Sequence, residues 1–206
     1  MCPSLILSDT PHPSIHFASQ NTQDERGVVS KGEATHQLCK NSIGASKMNP
    51  LSTMEIKIDL LKNYPQHISS LTKIANEELG PTWALDEEQL RQRIHINELP
   101  LTLVALDNNI PVGMCSLTKT KDIRSDLSPW LGPLFVDKQY QKRGIGNQLI
   151  EAIKQKARML GFEKLYLCTH DPELASRYYQ RRGWNIIGVD EWKGHAVTVM
   201  EINLHA

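Results

Sequence analysis

Hydrophobic and polar positions fall into two regimes along the chain. Up to residue 53 they follow neither a period of 2 nor one of 3.6, and Ser, Thr, Asn, Gln, His and Pro prevail. Such a stretch gathers too little apolar surface to offset the entropy of ordering, so residues 1–53 are expected to form a disordered or weakly ordered extension. Met48 and Met54 both offer plausible starts for the ordered part. From Met54 the pattern becomes regular. Met54-Glu55-Ile56-Lys57-Ile58 alternates as a half-buried strand does. Pro65 suits a first helical position, and Ile68, Leu71, Ile74, Ala75 and Leu79 form a stripe that Gly80-Pro81 ends. Asp86, with Gln89 three residues on, has the capping arrangement of a second helix.

Two strands, Leu101–Leu106 and Val112–Leu117, flank the turn Asp107-Asn108-Asn109. A third apolar run, Leu131–Val136, follows a polar loop. A long helix is predicted from Gly144, buried along Ile145, Leu149, Ile150, Ile153, Ala157 and Leu160 and stopped by Gly161. Leu165–Cys168 reads as a short buried strand. Asp171-Pro172-Glu173 caps another helix, which Gly183 ends. Trp184–Val189 and Val197–Ile202 close the chain as strands. The order β-α-α-β-β-β-α-β-α-β-β predicts an α/β (α+β) fold, with one mixed central sheet of six to seven strands and helices on both faces.

Composition narrows the function classes. The chain has 206 residues, with 23 Lys plus Arg against 23 Asp plus Glu. A formal net charge of zero leaves no footprint for duplex nucleic acid or for an anionic membrane. Cys2, Cys39, Cys115 and Cys168 make no C-x-x-C pair and have no histidine at metal-ligand spacing, so no metal is expected. The run Leu5-Ile6-Leu7 is too short for a signal-peptide core, and no stretch nears the roughly 18 apolar residues of a membrane span. A reduced, cytoplasmic setting is the expectation.

The most informative segment runs from Leu134-Phe135-Val136 through Gln141-Lys142-Arg143-Gly144-Ile145-Gly146-Asn147. A strand enters a loop, and the loop delivers two glycines to the start of an amphipathic helix. There the unpaired N–H groups and the positive end of the helix dipole favour a phosphate or pyrophosphate, with Lys142 and Arg143 adding charge. A Walker A loop is absent, and Leu149 stands where a dinucleotide fingerprint needs its third glycine. A second constellation, Arg177-Tyr178-Tyr179-Gln180-Arg181-Arg182-Gly183-Trp184, sets Tyr179 four positions before a glycine, with Tyr178 expected on the apolar face beside Leu174 and Ala175.

The first segment resembles the Q/R-x-x-G-x-G/A signature of the GNAT superfamily of N-acetyltransferases, and the second resembles that family's closing motif. The two motifs span roughly 131–184, and the strand order extends the resemblance over 54–206. The resemblance implies the GNAT acyltransferase fold and transfer of an acetyl group from acetyl-CoA, as co-substrate, to a primary amine by direct attack in a ternary complex. It implies that Gln141, Lys142, Arg143, Gly144, Ile145, Gly146 and Asn147 hold the pyrophosphate. Leu134, Phe135 and Val136 would run along the pantetheine arm, with a backbone N–H at Leu134 or Val136 polarising the acetyl carbonyl. Tyr179 would donate to the departing thiolate, since a phenol is protonated at neutral pH.

The chain departs from the family on the amine side. Many members carry a glutamate on the strand before the loop, whereas Leu131-Gly132-Pro133-Leu134-Phe135-Val136 has no acid. His170, at the end of a strand, is the best substitute base, with Asp122, Asp126 and Glu77 weaker ones. Trp83 and Trp130 are candidates to line the acceptor pocket. The acceptor stays open between a small-molecule amine and a peptide or protein amine, and a homodimer is allowed. The alternative reading is a catalytically weak, CoA-binding regulatory module of the same fold.

Overall fold

The computed structural model describes residues 55–94, 99–119 and 121–205, so the expected extension 1–53 lies outside the described residues. Seven strands form one sheet: β1 (Ile56–Leu60), β2 (Leu101–Asp107), β3 (Ile110–Thr118), β4 (Trp130–Val136), β5 (Lys164–Thr169), β6 (Asn185–Trp192) and β7 (His195–Asn203). Their order is β1-β2-β3-β4-β5-β7-β6. Every neighbouring pair is antiparallel except β4 and β5, which run parallel. The three long helical elements are α1 (Ile68–Leu79), α2 (Glu87–Arg93) and α3 (Ile145–Met159).

The predicted punctuation has physical counterparts. Asp86 accepts the N–H of Gln89 at 2.7 Å and so caps α2. The β2–β3 turn is made by Asn108 and Asn109, both at positive φ, which suits the twist of a two-residue hairpin. Lys193-Gly194 makes the same kind of turn between β6 and β7, which extends both strands beyond their expected ends. On one face, Ile68, Leu71 and Ala75 of α1 and Leu90 of α2 pack on Val104, Leu106, Met114 and Phe135. Each buried Leu or Ile there contributes about 1.5–3 kcal/mol. Helix α3 buries Ile145, Leu149, Ile150, Ile153 and Ala157 against the alternate residues of the same strands.

Strand β4 departs from the plain run that its sequence suggests. Cys115 pairs with Leu134 and Leu117 with Leu131, which leaves one extra residue in β4, a bulge at Gly132-Pro133. Pro133 has no N–H to miss in the ladder. At Gly132 a Cβ would stand 3.1 Å from the Cβ of Ser116, so the bulge lets the strands approach closely. Beyond the bulge, β4 has no strand partner on its other side among the described residues. Its registered pairing with β5 is the single pair Trp130↔Tyr166, supported by a 3.0 Å bond from the Tyr166 N–H to the Pro129 carbonyl. The two parallel strands then part.

The expected helix after Asp171 is not a regular one. Asp171 does cap it, accepting from Glu173 and Leu174 at 2.8 and 3.0 Å. A single α-turn, Pro172–Leu174, then widens into a π-helical stretch, Ala175–Tyr179, and tightens into a 3-10 turn, Gln180–Arg182. Gly183 ends it at φ 84°, with the Trp184 N–H reaching back to the Tyr179 carbonyl. Wide turns of this kind re-aim consecutive side chains.

Candidate active site

The loop before α3 is braced from α1. Both carboxylate oxygens of Glu78 are engaged, one by the Lys138 N–H at 3.2 Å and the other by Gln141 Nε2 at 2.8 Å. Gln141 Nε2 also donates to the Val136 carbonyl at 3.0 Å. The amide of Gln141 therefore shapes the loop, and any contact it makes with a ligand comes from its remaining surface. Lys142 and Gly144 both take positive φ, 62° and 80°. These two left-handed residues turn the chain into α3. The first bond inside the helix runs from the Gln148 N–H to the Gly144 carbonyl, so the N–H groups of Ile145, Gly146 and Asn147 have no helical partner.

These residues line a groove of about 800 Å³ whose other wall is Arg177, Tyr178, Arg181 and Arg182. Arg182 stacks on the Tyr178 ring at 3.9 Å and donates to Asn147 Oδ1 at 3.2 Å, tying the two walls together. Tyr140 and Glu151 complete the lining. The basic wall is visible in the sequence as the run Arg177 to Arg182, but only the fold turns it toward the loop. Tyr178 is a correction to the expected pattern. It lines the groove under Arg182 rather than the apolar core, because the π-helical turn rotates it outward from that stripe.

At its inner end the groove reaches Val136. The Asp137 N–H bonds the Val112 carbonyl at 2.8 Å, which fixes the alternation along β4. Backbone polar groups at Phe135 and Asp137 face β3, and those at Leu134 and Val136 face the gap left by β5. Phe135 leaves the expected set on two counts: its backbone faces β3, and its side chain is buried against α1.

Tyr179 is 7% exposed, and its ring meets Tyr178 and Trp184 edge-on at 5.1 and 5.9 Å. Burial pushes its phenol well above the ordinary value, with Tyr178, Cys115 and Cys168 adding in the same direction. Burial likewise raises the Cys168 thiol, against the opposing charge and hydrogen bond of Lys121. Any thiol or phenol in this region is thus held in its protonated form through neutral pH.

A separate aromatic group forms where four segments meet. Trp83, in the turn Pro81–Trp83 between α1 and α2, lies 4.6 Å from Trp192, 5.6 Å from His170 and 5.8 Å from His195. The structure therefore brings His170 to Trp83. It treats Trp130 differently: that side chain is fully buried, donates to the Leu127 carbonyl at 2.8 Å and packs on Tyr166. Of the weaker base candidates, Asp122 and Glu77 are exposed, and Asp126 is engaged by Arg124 at 3.0 and 2.9 Å. Sequence reasoning missed Trp192, Lys193 and His195. They belong to a hairpin whose turn, Lys193-Gly194, carries no motif.

Among the described residues no group of His, Cys, Asp and Glu is placed to hold a metal, and no helix is long and apolar enough to cross a membrane. Comparison with known proteins agrees with the geometry. Residues 68–184 match the acetyltransferase (GNAT) family. A probable spermine N(1)-acetyltransferase of Bacillus subtilis subsp. natto is 33% identical over 75 residues, 35% of this chain and 49% of that protein. The spermine/spermidine N(1)-acetyltransferase of Bacillus subtilis is 32% identical over the same shares. The match thus spans about half the length of these relatives. Among solved structures, an N-acetyltransferase from Thermoplasma acidophilum in complex with coenzyme A superposes with a TM-score of 0.58 at 19% identity, over 73% of this chain and 99% of that one.

Proposed function

The chain belongs to the GNAT acetyltransferase family, and from that premise we propose that it transfers an acetyl group from acetyl-CoA to a primary amine by direct attack in a ternary complex. Residues 54–206 are the catalytic domain in this reading. The observation that carries it is the parting of β4 from β5 at the inner end of the basic groove. Among the described residues no strand pairs with that edge of β4 at Leu134 and Val136, where Gln141 takes the Val136 carbonyl and the N–H groups remain. An extended, amide-bearing arm fits such an edge as an added strand does. The groove supplies the N–H groups of Ile145, Gly146 and Asn147 and the charges of Lys142 and Arg182 for a pyrophosphate, and Arg143, held over the Tyr140 ring, adds charge from outside the lining.

The amine nitrogen attacks the thioester carbonyl carbon, the C–S bond breaks, and the sulfur leaves with the electron pair. A backbone N–H at Leu134 or Val136 takes the charge that develops on the carbonyl oxygen. Tyr179, buried next to the groove-lining Tyr178, is the residue assigned to the sulfur in this reading. Its phenol is hard to ionise, and the same burial that raises it also raises Cys115 and Cys168. The phenol is protonated at neutral pH and donates to the sulfur as it leaves. His170 is the candidate that relieves the amine of its proton. The domain works as a cytoplasmic enzyme in this reading.

The test is release of CoA thiol from acetyl-CoA with a panel of amines, for wild type and Tyr179→Phe. Loss of the phenol lowers kcat by roughly 10²–10⁴-fold and leaves acetyl-CoA affinity within about twofold. Unchanged kcat removes Tyr179 from the mechanism. Acetyl-CoA binding with no turnover of any amine supports the regulatory module instead.

The names of the two Bacillus relatives raise polyamines as acceptors. The aromatic group by Trp83 argues against them here, because Lys121 and Lys193 already stand on it. Two ammonium groups about 6 Å apart repel by about 3 kcal/mol at an effective dielectric near 20.

A further inference from the structure

The aromatic group presents cations and hydrogen-bond donors where a polyamine site needs acids. Lys121 Nζ stands 3.8 Å from the Trp192 ring centre and 5.9 Å from that of Trp130. Lys193 Nζ lies 5.3 Å from the Trp192 ring and 5.7 Å from that of Trp83, and donates to the Thr82 carbonyl at 3.3 Å. Among the described residues neither lysine has a carboxylate within ion-pair distance. Of the nearby acids, Asp126 is bound by Arg124, and Asp190, on β6, acts electrostatically on both the Arg124 guanidinium and the Cys168 thiol without an ion pair to either lysine. The Trp192 Nε1–H is buried with no acceptor among the described residues. A buried indole N–H without a partner costs stability unless a ligand or a small shift supplies an oxygen.

Lys121 also ties this face to the reaction. Its charge pulls the Cys168 thiol on β5 down against the effect of burial, and Cys168 acts electrostatically on Tyr179. An acceptor lying on Trp83 meets His170, the candidate base, whose ring stacks on that indole at 5.6 Å. Resting on the acetyl-transfer reading above, we propose that the acceptor amine carries a carboxylate on a flat apolar body, as an aromatic α-amino acid does. Lys121 and Lys193 take the carboxylate, and the indole of Trp83 takes the flat body.

The experiment measures CoA-thiol release at saturating acetyl-CoA with three acceptors: phenylalanine, phenethylamine (the same body without the carboxylate) and spermidine. Phenylalanine is expected to exceed phenethylamine in kcat/KM on the order of 10–100-fold, the worth of hydrogen bonds to a charged group. Lys121→Glu is expected to abolish or invert that ratio. Lys193→Glu, at an exposed turn that tolerates substitution, is expected to lower it as well. Equal or better turnover of phenethylamine or spermidine by wild type overturns the inference and leaves acetyl transfer standing. So does a ratio that both variants leave unchanged. If no amine is turned over although acetyl-CoA binds, the transfer reading falls. Calorimetric titration of the CoA-loaded protein with phenylalanine and phenethylamine then decides the subsite by itself, and equal affinity, or none for either, overturns it.

Discussion

The groove at the start of α3 and the aromatic group around Trp83 are built from different materials. In the groove the groups proposed to face the cofactor are mostly main chain: N–H groups at Ile145, Gly146 and Asn147, and the edge of β4 at Leu134 and Val136, with the charges of Lys142 and Arg182 beside them. Side chains such as Glu78 and Gln141 hold that main chain in shape. Around Trp83 the reverse holds. Indoles, imidazoles and lysines from four segments make the surface, and the backbone only delivers them. A main-chain site is fixed by conformation, so it fails when conformation is disturbed and survives changes of surface side chain. A side-chain site is fixed by identity, so it can be respecified one residue at a time.

The largest expected effect tests the conformational half of that contrast. A Cβ at Gly113, on β3, would lie 2.7 Å from the Phe135 carbonyl oxygen and 3.2 Å from the Val136 Cα. Both atoms are main chain of β4 and have nowhere to retreat without moving the free edge. Gly113→Ala is expected to cost about 3 kcal/mol, the upper range for overpacking, read as a lower urea midpoint at unchanged slope. Acetyl-CoA affinity should fall with it. A variant as stable as wild type would show that β4 yields and that its edge is not rigid.

Gly144→Ala comes next. No atom lies within 4 Å of the added Cβ, so the space is open and the strain is that of φ 80° alone. It amounts to about 1–2 kcal/mol, which should show as acetyl-CoA binding weaker by roughly tenfold, with acceptor KM unchanged. An equal loss on both substrates would mean that the two regions are not separable.

The same contrast explains what is legible in the sequence. Main-chain sites leave glycines and punctuation behind, and Gly144-Ile145-Gly146 after a strand reads as an anion site from the residues alone. The strand order is equally plain, because burial on one face enforces the alternation. The bulge at Gly132-Pro133 is not, since an extra residue in β4 shows only against its partner β3. The π-helical widening that turns Tyr178 into the groove breaks the 3.6 period locally, and no residue there announces it. Trp192, Lys193 and His195 escape sequence reasoning because a side-chain site is assembled by folding. Trp83 and Trp192 are far apart in sequence and 4.6 Å apart in space.

The smallest effect is the sharpest test of separability. Trp83 stacks on His170, meets Trp192 and His195 at a tilt, and is itself only half-buried. Trp83→Ala removes a ring from the acceptor face and no group from the groove. Aromatic pairs of this kind contribute about 0.5–1.5 kcal/mol beyond their buried area, so the acceptor KM should rise by roughly 3–10-fold. Acetyl-CoA affinity should stay within about twofold, because no N–H of the α3 loop depends on that indole. If the variant weakens acetyl-CoA as much as it weakens the acceptor, Trp83 supports the gap between β4 and β5 rather than a separate subsite. The acceptor would then have to be recognised by residues nearer to Tyr179.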